Sequence, residues 1–186
     1  MHRWTRPLAA ALAGLFAAGT AAADTPKEGT KAPDVELKAV GVAKLLPGKK
    51  DGDTISLKDF QGANGKNVVL FFYPKAMTRG CTVESCGFRD VSADFAKLDT
   101  VVLGISTDDV SAQQQFIDKE KLNFPLLADP EKKVTQAFGA LGRNGFASRY
   151  TFVIDKQGTV RKVYTTVSPQ NHPAEVLKYV QEHLAK

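Results

Sequence analysis

The sequence predicts an α/β fold in which a mixed central sheet is flanked by helices. Three observations predict it. Residues 68–73 (VVLFFY) are an uninterrupted apolar, β-branched and aromatic run, as a strand buried on both faces requires. Residues 81–98 then repeat apolar side chains at helical spacing through Val83, Gly87, Val91, Phe95 and Leu98. This alternation recurs along the chain and closes on a hairpin and a helix.

In chain order, residues 24–32 (DTPKEGTKA) are polar and read as a mobile lead-in. Weak strands are expected around residues 40–45 and 54–57, with the turn-rich PGKKDGD loop between them. After the strand at 68–73 and the helix at 81–98, residues 101–105 read as a second buried strand. Ser111 is placed to cap a helix carrying Phe116 and Ile117. Residues 124–128 form a short strand. Asp129-Pro130 then reads as a cap followed by proline, opening a helix that buries Val134 and Phe138. Residues 150–154 and 160–165, joined by a turn at 155–158, form the hairpin. Pro173 opens a last helix, buried through Val176, Leu177, Val180 and Leu184. The order fits a thioredoxin-like core with extra elements, although the pattern alone leaves other α/β folds open.

The chain has 186 residues, which fits one domain plus an extension. The extension is at the start. MHRWTR (1–6) carries two arginines, LAAALAGLFAA (8–18) is apolar and small, and Ala21-Ala22-Ala23 offers small residues for cleavage. That pattern is a secretory signal, and its apolar stretch is shorter than the roughly 20 residues of a spanning helix. An uncleaved amphipathic anchor is the alternative. Removing residues 1–23 leaves a working domain of residues 24–186 and no basis for stable membrane insertion. Loss of Arg3 and Arg6 lowers the net charge from +5 to +3, too mild to imply nucleic acid. An exported, periplasmic setting permits two thiols to be oxidised and to stay so. Two cysteines and three histidines are few for a metal site, and neither metal nor cofactor is expected. His172 and His183 are expected at the surface.

The chemistry gathers where the buried strand meets its helix. Pro74-Lys-Ala-Met-Thr78-Arg-Gly-Cys81-Thr-Val-Glu84-Ser-Cys86 spans the junction and sets Cys81 in or beside the first helical turn. Unpaired N–H groups and the positive dipole end lie there, and both favour thiolate over thiol. Cys86 follows five residues later. In an intact helix that separation puts the two Cα atoms roughly 8.7 Å apart, and a disulfide rarely tolerates more than ~7 Å. A Cys81–Cys86 bond therefore needs the first turns to unwind, which Gly80 and Gly87 would ease. A permanent structural disulfide stays open as an alternative.

Pro74-x-x-x-Thr78-x-x-Cys81 matches the P-x-x-x-T-x-x-C signature of peroxiredoxins. The second cysteine five residues on resembles the bacterioferritin comigratory protein (BCP/PrxQ) subfamily. FYPKAMTRGCTVESCGFRD (72–90) is similar to that group throughout, as are KAPDVEL (31–37) and RYTFVID (149–155). The resemblance covers residues 29 to about 184. It implies a thiol-dependent peroxidase on a thioredoxin-like fold, acting on hydrogen peroxide and organic hydroperoxides. It further implies Cys81 as peroxidatic cysteine and Cys86 as resolving cysteine. Thr78 would orient the peroxide and contact the thiolate, Arg149 would hold the thiolate and steady the cleavage transition state, and Pro74 would exclude water. The implied partner is a thioredoxin-like dithiol reductant, and a resolving cysteine in the same chain suits a monomer.

The chain departs from the family at Arg79, where proline is usual, and in a long loop at 39–53. Arg79 either adds positive charge near Cys81 or faces solvent. Glu84 reads as a first-turn acid favoured by the helix dipole, or as a proton relay. Two other readings remain. A disulfide oxidoreductase would carry C-x-x-C and a facing proline, where this chain has C-x-x-x-x-C and Arg149. A non-enzymatic exported module would keep its disulfide as a staple.

Overall fold

A computed structural model describes residues 24–43, 45–62 and 65–185. The expected signal segment, residues 1–23, lies outside the described residues. Strands β1 (Glu36–Val40) and β2 (Thr54–Ser56) come first, then one 3₁₀ turn at Leu57–Phe60. The chain continues as β3 (Asn67–Phe72), α1 (Arg79–Asp90), α2 (Ser92–Lys97), β4 (Thr100–Ser106) and α3 (Val110–Glu120). It ends as β5 (Leu126–Ala128), α4 (Lys133–Ala137), β6 (Thr151–Ile154), β7 (Val160–Tyr164) and α5 (His172–His183).

The described strands make one mixed sheet in the order β2-β1-β5-β4-β3-β6-β7. Its centre, β5-β4-β3, is parallel, and antiparallel pairs flank it on both sides. This is the expected thioredoxin-like α/β architecture. Every residue of β3 and β4 is buried, which explains their unbroken apolar runs. Side chains alternate across the sheet. Val69, Phe71 and Tyr73 share a core with Phe88, Phe95, Phe116, Val176 and Val180 from α1, α2, α3 and α5. Val68, Leu70 and Phe72 pack on the other side with Phe60, Val134 and Phe138. Each such buried side chain contributes about 1.5–3 kcal/mol. At its carboxyl end β3 pairs Phe72 with Ile105, the residue before the end of parallel β4, and α1 follows β3 from that edge. Sites in such sheets form there.

Several expectations need correction. The first strand is Glu36–Val40, earlier than the expected 40–45. Gly41 turns the chain at φ +75, and a Cβ there would meet Ile117 Cδ1 at 2.9 Å. The long loop folds back on itself, with Asp51 Oδ1 accepting from the N–H groups of Gly41 and Val42 at 2.7 and 3.2 Å. The lead-in is tied to β7 and its turn by Gly29 N–H to Val160 O and Ala32 N–H to Gly158 O, at 2.7 and 3.0 Å.

The expected helix at 81–98 starts at Arg79 and is interrupted at Val91, where the Ser92 hydroxyl donates to Arg89 O at 2.8 Å. Its inward face is Cys81, Glu84, Ser85 and Phe88, not the Val83–Gly87–Val91 series. Asp109, not Ser111, caps α3, accepting from Ala112 N–H at 2.8 Å. Helix α4 starts after Lys132, which adopts a left-handed conformation. Asp129 still serves it by accepting from the Thr135 N–H and hydroxyl, both at 2.7 Å. Proline does open α5 as expected.

Candidate active site

The loop leaving β3 is fixed from below. Ala76 N–H donates to Asp108 Oδ2 at 2.7 Å, and Ser106 Oγ donates to the same oxygen at 2.7 Å. Thr78 is the extended N-cap residue of α1; its carbonyl accepts the Thr82 N–H at 2.8 Å. The N–H groups of Arg79, Gly80 and Cys81 thus belong to the orphan set of a helix start. Cys81, third in the helix, is fully buried against Phe71, Tyr73 and Phe88. A thiol in that place has oriented N–H dipoles in front and apolar walls around it.

Arg149, just before β6, reaches across the sheet to this turn. Its Nη2 lies 3.4 Å from Cys81 Sγ. Its Nη1 donates to Glu84 Oε2 in a tight ion pair. Gly80 permits the approach: a Cβ there would stand 3.3 Å from Arg149 Nη2. Cys81 and Glu84 are one turn apart on one helix face, so one planar guanidinium spans both. Glu84 is completely buried, and burial pushes its carboxyl up to about 7, against the opposing pull of Arg149. Its second oxygen, Oε1, has no protein partner.

His172 contradicts its expected surface position. It is fully buried, with Nε2 2.8 Å from the Thr151 hydroxyl. Its ring meets Phe88 and Tyr164 edge-on at 5.8 and 5.0 Å. Burial, reinforced by the Arg149 charge, holds the imidazole at about 4, so it is neutral near pH 7. It joins α5 to the arginine-bearing strand.

Cys86 is a free thiol, half-buried, still within α1. Its Sγ donates weakly to Glu120 Oε2 at 3.8 Å. Burial pushes this thiol up, Arg89 opposes, and Glu120 and Asp90 add to the rise. Both cysteines sit in wound helix, so the roughly 8.7 Å separation of an ideal helix applies between them.

The fold therefore brings together Cys81, Arg149 and Glu84. Thr78 stands beside them, but its hydroxyl donates to Lys75 O at 3.0 Å, not to Cys81. Pro74 is half-buried directly after β3. Arg79 is exposed on the outer side of the first turn. Among the described residues, no cluster of three His, Cys, Asp or Glu side chains could hold a metal ion. Sequence reasoning missed Asp108, His172 and Glu120. The Cys81-x-x-Glu84 spacing, one helical turn, was the available signal for the arginine bridge.

A buried thiol at a helix start, touched by a fixed guanidinium at the carboxyl edge of a thioredoxin-like sheet, is the arrangement of a thiol-dependent peroxidase. The family model of the AhpC/TSA family matches residues 29–163. Peroxiredoxin Bcp of Escherichia coli (strain K12) is 40% identical over 155 residues, covering 79% of this chain and 97% of that protein. Peroxiredoxin Bcp of Bacillus subtilis (strain 168) is 39% identical over 161 residues, covering 83% and 94%. The crystal structure of peroxidoxin BcpB from Mycobacterium tuberculosis superposes with a TM-score of 0.72 at 34% identity, covering 85% of this chain and 98% of that one. The chain belongs to the AhpC/TSA family and, within it, to the Bcp/PrxQ peroxiredoxins, thiol-dependent peroxidases of the atypical 2-Cys type.

Proposed function

We propose that Cys81 is the peroxidatic cysteine and Cys86 the resolving cysteine of a one-chain catalytic cycle. The observation that carries this reading is the Arg149 guanidinium spanning Cys81 Sγ and Glu84. The Cys81 thiolate attacks the terminal oxygen of ROOH. The O–O bond breaks, and ROH leaves with a proton from solvent. Cys81 becomes a sulfenic acid. Arg149 stabilises charge spreading over the two oxygens. With its own proton on Lys75 O, Thr78 Oγ1 is free to accept the peroxide O–H. Pro74 covers the approach from β3 and limits water.

Glu84 holds the guanidinium in line. Arg79 contributes positive potential at the entrance rather than a contact. The first turns of α1 then open, the Cys86 thiol condenses with the sulfenic acid, and water leaves. A thioredoxin-like dithiol reduces the resulting disulfide. Hydrogen peroxide and organic hydroperoxides are the substrates this chemistry suits. A signal cleaved after Ala23 would deliver residues 24–186 to the periplasm, where the protein would act as a monomer without membrane insertion. Two free thiols in a wound helix do not favour a permanent staple.

Reduced protein mixed with hydrogen peroxide should consume it one for one, and Cys81→Ser should abolish the reaction. Peroxide consumption by Cys81→Ser at the wild-type rate would refute the assignment.

A further inference from the structure

The thiol-dependent cycle has two fates for the Cys81 sulfenic acid. Condensation with the Cys86 thiol gives the disulfide and water. Reaction with a second peroxide gives the sulfinic acid and ROH. Whatever holds Cys86 in its helix therefore decides between them. Beyond α1 itself, the side-chain contact on Cys86 comes from α3. Cys86 Sγ lies 3.8 Å from Glu120 Oε2, on the last residue of α3. The Glu120 carbonyl is one of the helix-end acceptors left without an intrahelical donor. Arg89 Nη1 donates to it at 2.6 Å, a cation placed at the negative end of the α3 dipole.

Further contacts keep this corner rigid. Arg89 Nη2 pairs with Asp90 at 2.8 Å. Asn123 Nδ2, just past α3, donates to Ser92 Oγ at 2.8 Å and to Arg89 O at 3.3 Å. Lys121 turns the chain after Glu120 in a left-handed conformation, φ 54. The backbone of Glu120, beside Cys86, is thus tied to α1 by a contact that does not involve the thiol. Phe88, fully buried two residues on, marks where unwinding can stop. Unwinding of 81–87 would carry the Cys86 thiol away from Glu120.

Resting on the assignment of Cys81 and Cys86 above, we infer that Glu120 is a positioning residue for the resolving step, a latch that holds the Cys86 thiol in wound helix and so slows disulfide formation. The groups facing Cys86 are Arg89 and Asp90 from α1 and Glu120 from α3. Removing the Glu120 charge leaves the two α1 groups opposed to each other.

The test uses Glu120→Gln and Glu120→Ala in the full mature chain, with quenched-flow mass spectrometry after peroxide. Formation of the Cys81 sulfenic acid should proceed at the wild-type rate. Its conversion to disulfide should be about fivefold faster in Glu120→Ala, the effect of losing one weak charge-assisted contact. The fraction reaching sulfinic acid at high peroxide should fall to match. In a Cys81→Ser background, the pH midpoint for alkylation of Cys86 should move down in both Glu120 variants, while the thermal midpoint stays put. Slower resolution in the variants would overturn the latch and make Glu120 a base for Cys86. Unchanged resolution with an unchanged alkylation midpoint would also overturn it. Absence of any disulfide in the wild type would overturn the site assignment and the latch together.

Discussion

Arg149 Nη2 stands 3.4 Å from Cys81 Sγ, across 68 residues of sequence. The contact joins the end of one strand, the start of a helix and a loop before a third element. Neither residue could be placed against the other by local sequence. The same guanidinium is tied to buried Glu84. Cys81, Arg149 and Glu84 are thus one connected unit.

Replacing Arg149 with lysine keeps a charge but cannot span both partners. We expect the second-order rate with hydrogen peroxide to fall about 100-fold, as when one aimed donor is removed from a charge-stabilising site. Stopped-flow peroxide consumption at fixed pH measures it. A loss under threefold would mean the guanidinium geometry is not used.

Arg149→Met leaves a fully buried carboxyl without its cation; because that carboxyl already sits at about 7, it takes up a proton, and the fold should lose about 1 kcal/mol near pH 7 and more as pH rises. Adding Glu84→Gln removes the group that must hold that proton. The double variant should recover most of the stability and none of the activity. Urea unfolding of the four proteins in the cycle checks the coupling.

Glu84 and His172 set opposing pH slopes on stability. The folded Glu84 carboxyl is raised from 4.5 to about 7. Its favourable contribution is complete below pH 4.5 and is lost as pH rises through about 7. The folded His172 imidazole is depressed from 6.5 to about 4. Its contribution is complete above pH 6.5 and is lost as pH falls through about 4. In Glu84→Gln only the histidine slope remains. Its stability relative to wild type should therefore rise between pH 4.5 and 7. Thermal melts at several pH values test this, and a difference independent of pH would contradict it.

Oxidation should loosen α1. Amide exchange across residues 81–87 should rise in the disulfide form, while the buried Phe88 end and β4 stay protected. Equal protection in both redox states would show that the cysteines meet without unwinding.

Much of this was legible in the sequence wherever burial is two-sided or the backbone chemistry is local. The 68–73 run, the 155–158 turn and Pro173 each announce their element through residue type alone. The placement of Cys81 at a helix start was legible in the strand-to-helix junction. What escaped depended on tertiary partners. Helix α1 turns a charged residue inward because Arg149 waits there, so the apolar series Val83, Gly87 and Val91 misplaced its face. His172 looked like a surface residue because nothing nearby in sequence reveals the Thr151 hydroxyl or the Phe88 ring. Gly41 turns the chain where a side chain would run into Ile117 and Phe124, both from distant parts of the chain.

One experiment bears on the division of labour between the two thiols above all others. A Cys86→Ser variant, reduced and treated with one equivalent of hydrogen peroxide, is trapped with a sulfenic-acid reagent and mapped by peptide mass spectrometry. One added oxygen, trapped on Cys81 in near-stoichiometric yield, is the predicted result. An unmodified Cys81, with peroxide left in solution, would contradict it.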